Sequence, residues 1–326
     1  MRADLRSLSV QICVVTYNSR EVIPALLAGI SSLSETNLDV GLVVVDNSSQ
    51  DDTVDLIRLG LQDLGGWLDY QVIESPTNRG WSGGNNLGLL SIPDSTDYVL
   101  LMNPDATIDS TGLERLVATM QDHEAAGLAI PFVWRDGALQ ISANPELTWM
   151  KYFIWDVFGD ARRLRRFRQR YARLTKSQVL VDGYASGALA LVSYRALLDI
   201  GFLDDSMFMF HDDVDLCRSL RRSGYELLIV PGAVGVHSGG VGSRILDAAD
   251  SDNAVALLSF ESELPFVEKW HGTTRARVLA WYRAVVYFRL LSMGRRLRGR
   301  AAVETDELAE PARRYLQGNR PERSNL

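Results

Sequence analysis

The sequence predicts an α/β protein with a mostly parallel central sheet flanked by helices. Over the first 135 residues, short apolar runs alternate with segments whose apolar residues recur at helical spacing. This alternation is typical of parallel strands joined by crossover helices. In addition, the apolar run at 99–102 ends on a turn with a single carboxylate, Asp105, and open α/β sheets place ligand chemistry at such strand ends.

Five strands and four helices are predicted in this region. The strands are apolar, often β-branched runs at 10–16, 40–46, 70–73, 98–102 and 128–132. The helices are predicted at 20–33, 53–64, 83–90 and 111–123. Asn18 or Ser19 is predicted to cap the first helix, because both side chains accept hydrogen bonds from the free amides of a helix start.

Residues 135–180 break the alternation and are predicted to form an insertion that covers one side of the site. They hold an aromatic group (Trp149, Tyr152, Phe153, Trp155, Phe158) and an arginine-rich helix at 161–174. After the insertion, strands are predicted at 188–192, 226–230 and 233–237. Helices are predicted at 214–222, 260–270 and 274–296.

Three regions follow from this pattern. Residues 1–271 are predicted to form the main domain, and 272–303 a basic amphipathic C-terminal helix. The polar segment 304–326 is predicted to be a disordered tail, because it is rich in Glu, Arg and Pro.

The composition is that of a folded protein: 46% of the 326 residues are hydrophobic, 23% are charged and the net charge is −7. Two segments, 161–176 and 272–300, each carry eight basic and no acidic side chains. A uniformly basic nucleic-acid-binding protein, and hence a nucleic-acid partner, is not expected. Two interpretations of these basic segments are open. They bind a negatively charged ligand or surface, or they are helix faces exposed to solvent.

The location of the protein is predicted from its cysteines and its hydropathy. Cys13 and Cys217 stand far apart in apolar or helical patterns, which fits a reducing compartment. No signal peptide is expected in residues 1–9, and no apolar run reaches the ~18 residues that a spanning helix needs. A cytoplasmic protein is predicted.

Several predicted strand ends carry side chains suited to a nucleotide-linked ligand. Asp46 ends the second strand and can accept hydrogen bonds from a nucleobase or a ribose hydroxyl, with a turn or capping aspartate as the alternative. The glycine-rich segment 78–88 feeds a helix whose free amides attract phosphate, although a plain loop is as consistent with it. It lacks the ending of a Walker loop.

Asp105 and His237 are candidate metal ligands. Mg²⁺ and Mn²⁺ prefer oxygen ligands and take much of their shell from phosphate and water, so one carboxylate plus a diphosphate is sufficient. An imidazole ligand is more natural for Mn²⁺ than for Mg²⁺. A structural histidine at a strand end is the alternative for His237.

The acidic residues Asp212, Asp213 and Asp215 open the predicted helix 214–222. Acidic residues stabilise a helix N-terminus, but three carboxylates in four residues exceed what capping needs. Mutual repulsion raises the proton affinity of at least one of them, which suits a general base acting on a sugar hydroxyl. Asp215 is predicted to hold the helix by pairing with Arg218 or Arg222.

An ordered series of motifs resembles glycosyltransferase family 2, in particular its rhamnosyltransferase-like branch. Each motif alone is weak, but their order over roughly residues 10–270 is specific. The series comprises Val14-Val15-Thr16-Tyr17-Asn18, Val45-Asp46-Asn47-Ser48-Ser49, Asn78-Arg79-Gly80, Gly83-Gly84-Asn85-Asn86, Asn103-Pro104-Asp105, Ser186-Gly187-Ala188, Gly201-Phe202-Leu203-Asp204, Phe208-Met209-Phe210-His211-Asp212-Asp213-Val214-Asp215-Leu216, Gly224-Tyr225 and His237-Ser238-Gly239-Gly240.

The resemblance implies a GT-A fold, a nucleotide-sugar donor (a dTDP- or UDP-sugar, often dTDP-rhamnose in this branch), Mg²⁺ or Mn²⁺, and inversion at the anomeric carbon. By position, it assigns the nucleoside and the donor cleft to Thr16, Asn18, Asp46, Asn78, Gly80, Asn85 and Asn103. It assigns the metal and diphosphate to Asp105 and His237. Asp213 matches the catalytic base, and Asp212 stands where Glu is usual. Asn103 replaces an Asp of many relatives, which leaves one carboxylate.

The implied reaction is a single displacement in cell-surface polysaccharide synthesis. Asp213 removes the proton of an acceptor hydroxyl, which attacks the anomeric carbon opposite the diphosphate. The segment 275–300 is basic and aromatic, which favours peripheral contact with anionic lipid on the inner face of the cell membrane and a lipid-linked saccharide acceptor. Packing on the body and burial in a homodimer are the alternatives for this helix.

Two other functions are consistent with parts of the pattern. A nucleotidyltransferase can share an α/β core, but it usually has a basic glycine-rich loop near the N-terminus, and residues 14–19 are not one. A non-catalytic nucleotide-sugar-binding scaffold of a glycan assembly complex would keep Asp46 and the sheet. The Asp212–Asp213 pair argues against a scaffold.

Overall fold

The computed structural model describes residues 8–135, 137–140, 142–145, 149, 161–180, 183–238, 251–287 and 305–318. Its strands are β1 (Ser9–Thr16), β2 (Asp39–Asp46), β3 (Asp69–Glu74), β4 (Tyr98–Met102), β5 (Ala106–Ile108), β6 (Ala126–Arg135), β7 (Ala138–Gln140), β8 (Ala143–Asn144), β9 (Gln178–Val179), β10 (Tyr184–Ala185), β11 (Leu189–Ser193) and β12 (Glu226–His237). Its α-helices are α1 (Ile23–Ser31), α2 (Thr53–Asp63), α3 (Gly80–Leu89), α4 (Ser110–Gln121), α5 (Ala161–Ala172), α6 (Tyr194–Ile200), α7 (Asp212–Arg222), α8 (Ser251–His271), α9 (Thr273–Tyr282) and α10 (Thr305–Leu316).

The main sheet confirms the predicted α/β architecture. Its strand order is β3-β2-β1-β4-β11-β6-β12-β5, and β7 and β9 pair with β6 and β12. The first four strands are parallel, β11 is antiparallel to both neighbours, β12 is parallel to β6, and β5 is antiparallel to β12. Six of the eight strands on this path therefore run in one direction. The carboxyl ends of β1, β2 and β4 meet at one edge, where such sheets bind ligands.

Helices cover both faces of the sheet, which explains the continuous apolar runs of its central strands. One core lies beneath α1, α2 and α4, and the other beneath α3, α6 and α7. Helix α4 begins at Ser110, one residue before the predicted start, and the Asp109 side chain caps it by accepting a 2.7 Å hydrogen bond from Gly112 N.

The first helix begins later than predicted, at Ile23, and neither Asn18 nor Ser19 caps it. Asn18 has a left-handed backbone (φ 47°), and its side chain accepts a hydrogen bond from Gln50 N. Ser19 Oγ donates to Tyr17 O. Both polar side chains therefore organise the loop before the helix, and Pro24 occupies its first turn instead.

The strands predicted at 226–230 and 233–237 are one strand, β12. Its pairing with β6 shifts register between Val230 and Val234, and this irregularity explains the break in the apolar pattern. The short elements β5 and α6 were not predicted, and β5 matters because it carries the chain from Asp105 to the sheet edge.

The predicted insertion is described in part. Helix α5 confirms the arginine-rich helix, and the Tyr171 ring lies 5.0 Å from that of Phe132. Strand β8 pairs with β10, and Ser186 N donates to Ser142 O at 2.6 Å, so the start of the insertion borders the turn after β10. The aromatic residues at 152–158 lie outside the described residues.

The C-terminal region differs most from the prediction. Residues 305–316 form helix α10, so the prediction of a disordered tail from residue 304 is wrong for this part of the chain. Ala312 and Tyr315 are buried with residues of α8 and α9 in a third core, which also contains Met207 and Val214 on either side of His211. The C-terminal helices therefore support the acidic segment. In the part of the chain that the structure describes, no helix combines the length and apolarity needed to cross a bilayer.

Candidate active site

The carboxyl ends of β1 and β2 form a closely bonded polar loop. Asp46 is 2% exposed; its Oδ1 accepts from Thr16 Oγ1 (2.9 Å) and Ser49 Oγ (2.6 Å), and its Oδ2 accepts from Ser49 N (2.8 Å). Asn18 N donates to Ser49 Oγ at 2.8 Å. Thr16, Asn18 and Asp46 thus lie together, and Asp46 shapes the loop. Its direct contact with a nucleoside stays a prediction.

The glycine-rich segment is mostly helical, since α3 begins at Gly80, three residues before the predicted start. Gly80 has a φ of 70°, and a Cβ there would lie 2.1 Å from Phe208 O. Asn78 Oδ1 accepts from Gly80 N (3.0 Å), and Trp81 N donates to Phe208 O (3.1 Å). Glycine at position 80 therefore lets α3 approach the residues that precede the acidic segment.

Asn85 is buried within α3. It is 1% exposed, and its Nδ2 donates to Trp81 O at 2.9 Å. Its place in the donor cleft stays a prediction. The glycines of α3 also have a packing role, because a Cβ at Gly88 would lie 2.5 Å from Cys13 Sγ. Close packing of α3 on β1 is thus a structural reason for this composition, separate from phosphate binding.

Asp105 and His237 come together as the sequence predicts. Asp105 Oδ2 lies 3.1 Å from His237 Nε2, and the two side chains are 7% and 15% exposed. Antiparallel pairing of β5 with β12 places Ala106 opposite His237 and so creates this contact. The other ring nitrogen of His237, Nδ1, lies 3.0 Å from Gln140 Oε1.

These two side chains fit a divalent metal. The separation of 3.1 Å corresponds to neighbouring positions in an octahedral shell with bonds of about 2.1 Å. Among the described residues, no group of three or more His, Cys, Asp or Glu side chains is placed to hold a metal ion. A metal here would therefore take its other ligands from a diphosphate and water, which is common for Mg²⁺.

Asn103 connects the metal motif with the acidic segment. Its N donates to Ala188 O at 2.9 Å, and its Oδ1 accepts from Trp81 Nε1 at 3.3 Å. The Trp81 ring lies so close to Gly187 that a Cβ there would come within 2.9 Å of it. The Gly187 amide in turn lies near the Asp213 carboxyl and favours its charged form. Asn103 and Asp213 therefore lie on two sides of the turn that contains Gly187 and Ala188. The spacing of these residues in the sequence did not indicate that they adjoin the same turn.

Helix α7 begins with the acidic pair. Asp212 is buried, whereas Asp213 is half-buried and keeps part of its surface accessible. Burial, followed by the charge of Asp212, raises the pKa of Asp213 to about 8. Burial, followed by the charge of Asp215, raises the pKa of Asp212 to about 6. Both carboxylates bind a proton more strongly than an ordinary aspartate, which suits general-base chemistry.

The turn before this pair is strained. Phe210 and His211 have left-handed backbones, with φ values of 66° and 63°, which for such residues costs about 1–3 kcal/mol each. Contacts with α8 hold the turn: the His211 ring lies 5.3 Å from that of Phe266, and Met209 N donates to Ser262 Oγ at 3.3 Å. Burial, helped by nearby arginines, lowers the pKa of His211 to about 3, so this histidine is neutral near pH 7.

Asp215 is held by partners other than the predicted Arg218 and Arg222. Lys269 Nζ donates to Asp215 Oδ2 at 2.8 Å, and Trp270 Nε1 donates to Asp215 Oδ1 at 2.6 Å. Both partners lie in α8, so Asp215 anchors the start of α7 to the C-terminal helices. Helical spacing had favoured an arginine on the same helix, but a tertiary contact supplies these bonds.

Asp213→Asn is expected to stabilise the folded protein at alkaline pH. Because the pKa of Asp213 is raised on folding, the folded state binds more protons than the unfolded state between about pH 4 and 8, and stability falls as pH rises through this window. Asparagine removes this effect. Urea unfolding should show a gain in stability near pH 9 that vanishes near pH 4. An equal change at both pH values would contradict the assigned titration.

Comparisons with known proteins agree with this geometry. The profile described as glycosyl transferase family 2 matches residues 11–199. A low-salt glycan biosynthesis hexosyltransferase of Haloferax volcanii is 28% identical over 222 residues, which are 66% of this chain and 62% of that protein. This chain thus spans less than two thirds of that relative. An N-acetylglucosaminyl-diphospho-decaprenol L-rhamnosyltransferase of Mycobacterium tuberculosis is 26% identical over 234 residues, 69% of this chain and 75% of that protein.

A solved structure supports the fold. A mannosyltransferase from Pyrobaculum calidifontis, in complex with GDP-Man and Mn²⁺, matches with a TM-score of 0.52 and 15% identity over 94% of this chain and 83% of that chain. The curled, mostly parallel sheet and its strand-end site thus define a protein of the GT-A fold class. Because the profile covers more than half of the sequence, the chain belongs to glycosyltransferase family 2. The predicted rhamnosyltransferase-like resemblance is confirmed by the named relatives.

Proposed function

We propose that this protein transfers a sugar, with rhamnose as the first candidate, from a nucleotide diphosphate-sugar to a saccharide or lipid-linked saccharide acceptor. The reaction is metal-dependent and inverts the anomeric carbon. One observation carries the proposal: through Trp81 and Gly187, the metal motif and the raised-pKa carboxyl of Asp213 adjoin the same turn. The names of the relatives support the substrate class.

The residues present can perform this reaction. Asp105 and His237 would hold Mn²⁺ or Mg²⁺, which when bound offsets the charge that develops on the leaving diphosphate. Asp213, which is more accessible than Asp212, accepts the proton of the acceptor hydroxyl. The acceptor oxygen forms a bond to the anomeric carbon while the carbon–oxygen bond to the diphosphate breaks and its electron pair leaves with the diphosphate. The Gly187 amide favours the charged form of the Asp213 carboxylate.

An assay of nucleotide-sugar turnover tests the proposal. Purified protein is incubated with Mn²⁺, a synthetic lipid-diphosphate saccharide and dTDP-rhamnose, UDP-sugars or GDP-sugars in turn. We expect one donor to be consumed, EDTA to stop the reaction, and NMR to show opposite anomeric configurations in donor and product. Turnover that survives EDTA would contradict metal dependence, and retained configuration would contradict a single displacement.

We also propose that the protein contacts anionic lipid through the outer face of α9 and of the π-helical turn that follows it, Arg283–Tyr287. Ala276, Leu279 and Ala280 point into the third core, whereas Val278, Trp281 and Val285 are 46%, 54% and 38% exposed. These three lie at helical spacing on one face, with the exposed Arg275 and Arg277 beside them. The sequence continues into a further arginine-rich stretch at 289–300. An apolar face flanked by basic side chains suits the interface of an anionic bilayer.

Replacing the three exposed apolar residues of this face is expected to weaken binding of the protein to lipid. The triple variant Val278→Asp, Trp281→Ala, Val285→Asp should sediment with phosphatidylglycerol vesicles at least about tenfold less than the wild type, because apolar contact is lost and charge repulsion is added. Substitution is better than deletion of 272–326, since the other face of α9 is part of the core. Leu59→Asp is the matched control, as Leu59 is 62% exposed on α2. Equal sedimentation of the triple variant and the wild type would exclude α9 as the membrane contact.

A further inference from the structure

His237 is held from both sides of its ring. Nε2 lies 3.1 Å from Asp105 Oδ2, and Nδ1 lies 3.0 Å from Gln140 Oε1. Gln140 belongs to β7, which pairs with β6, and β6 pairs in turn with β12, which carries His237. Gln140 therefore reaches across β6 to a residue that is 97 positions later in the sequence.

The chemistry of this contact selects one form of the imidazole. An amide oxygen can only accept a hydrogen bond, so the contact with Gln140 Oε1 places a hydrogen on Nδ1. In a neutral imidazole with this hydrogen, Nε2 has the lone pair, and a lone pair that faces a carboxylate oxygen at 3.1 Å is favourable only with a cation between the two atoms. This is the form in which a histidine binds a metal, and metal-bound histidines commonly donate their other N–H to an oxygen.

We propose that Gln140 is a positioning residue of the metal site, which holds the His237 ring with Nε2 directed toward the metal. The inference rests on the proposed metal role of Asp105 and His237. Gln140 acts through His237 and itself would touch neither the metal nor the donor. Nothing in the local sequence around residue 140 marks this role, because the contact depends on the pairing of three strands.

The affinity for Mn²⁺ tests this directly. It is measured by electron paramagnetic resonance of free Mn²⁺ in the presence of dTDP or UDP, whichever the wild type binds. Gln140→Leu should weaken Mn²⁺ binding about 10–100-fold, since removal of such a partner has this effect in other metal sites. Gln140→Glu keeps an acceptor oxygen and should bind Mn²⁺ within a few-fold of the wild type. Gln317→Leu, at an exposed position after α10, is the control.

A double-mutant comparison separates positioning from a general structural effect. In a His237→Ala background, Gln140→Leu should cause no further loss of Mn²⁺ affinity, because the residue through which it acts is gone. Thermal unfolding of each variant confirms that it is folded. A loss in that background equal to the loss in the wild type would overturn the inference, as would wild-type affinity in Gln140→Leu.

The same experiment distinguishes the inference from the proposed function. If Asp105→Ala and His237→Ala weaken Mn²⁺ binding but Gln140→Leu does not, the metal site stands and the role of Gln140 is overturned. If the wild type binds no Mn²⁺, or Asp105→Ala binds it equally well, the proposed metal site itself is overturned and the inference with it.

Discussion

Replacing Asp213 with asparagine is expected to lower kcat by about 10²–10⁴-fold, the usual contribution of a general base. Asparagine has nearly the same shape but cannot accept the proton of the acceptor hydroxyl. Nucleotide diphosphate binding should be unchanged, because the metal motif and the loop around Asp46 are intact. Steady-state kinetics and calorimetry on the same preparation measure both quantities. Asp63→Asn, at an exposed position on α2, is the matched control.

The pH dependence of the reaction identifies the base. Because burial and the Asp212 charge raise the pKa of Asp213, the rate should rise with pH through the range in which Asp213 loses its proton. Asp212→Asn removes the neighbouring charge and should shift this rise to lower pH while activity is retained. If Asp212→Asn is inactive and Asp213→Asn is not, Asp212 is the base. An Asp213→Asn protein that restores glycan synthesis in cells without turnover would favour the scaffold.

Replacing Asp105 with alanine should lower kcat/KM by about 10³-fold, because it removes the one carboxylate of the metal motif and with it several kcal/mol of charge stabilisation. His237 alone cannot hold the metal against the diphosphate. The residual activity should no longer depend on Mn²⁺ concentration. Asp63→Ala is the matched control, and its kcat/KM and Mn²⁺ dependence should equal those of the wild type. Unchanged kcat/KM and unchanged Mn²⁺ dependence in Asp105→Ala would exclude Asp105 as a ligand.

The sequence was informative about the sheet and about residues at strand ends. Apolar runs predicted β1, β2 and β4 to within one residue at each end, because strands buried on both faces have a simple local pattern. Parallel strands present their carboxyl ends at one edge, so Asp46 and Asp105 could be assigned to the same edge before the fold was known.

Contacts between distant segments were not predictable in this way. Gln140 meets His237 across 97 positions, and Trp270 meets Asp215 across 55. Local spacing favoured Arg218 or Arg222 as the partner of Asp215, because only neighbours on the same helix can be read from spacing. The tertiary packing of α8 supplied the partners instead.

The C-terminal helix α10 was missed because its composition was considered without its spacing. Its polar composition indicated disorder, yet Ala309, Ala312 and Tyr315 recur every three residues and are all buried. Such a narrow apolar stripe is stable only against another surface, here α8 and α9. Composition alone gave no sign of that surface, whereas the spacing was a usable signal.

The metal-dependent binding of a nucleotide diphosphate underlies the proposed function, and calorimetry measures it without an acceptor. Wild-type protein is titrated calorimetrically with dTDP, UDP, GDP and CDP, each with and without Mn²⁺ or Mg²⁺. We expect dTDP or UDP to bind, the metal to tighten this binding at least about tenfold, and Asp105→Ala to remove the metal effect. If none of the four nucleotides binds to the folded protein, the proposed donor site is wrong. The non-catalytic scaffold of a glycan assembly complex would then be favoured.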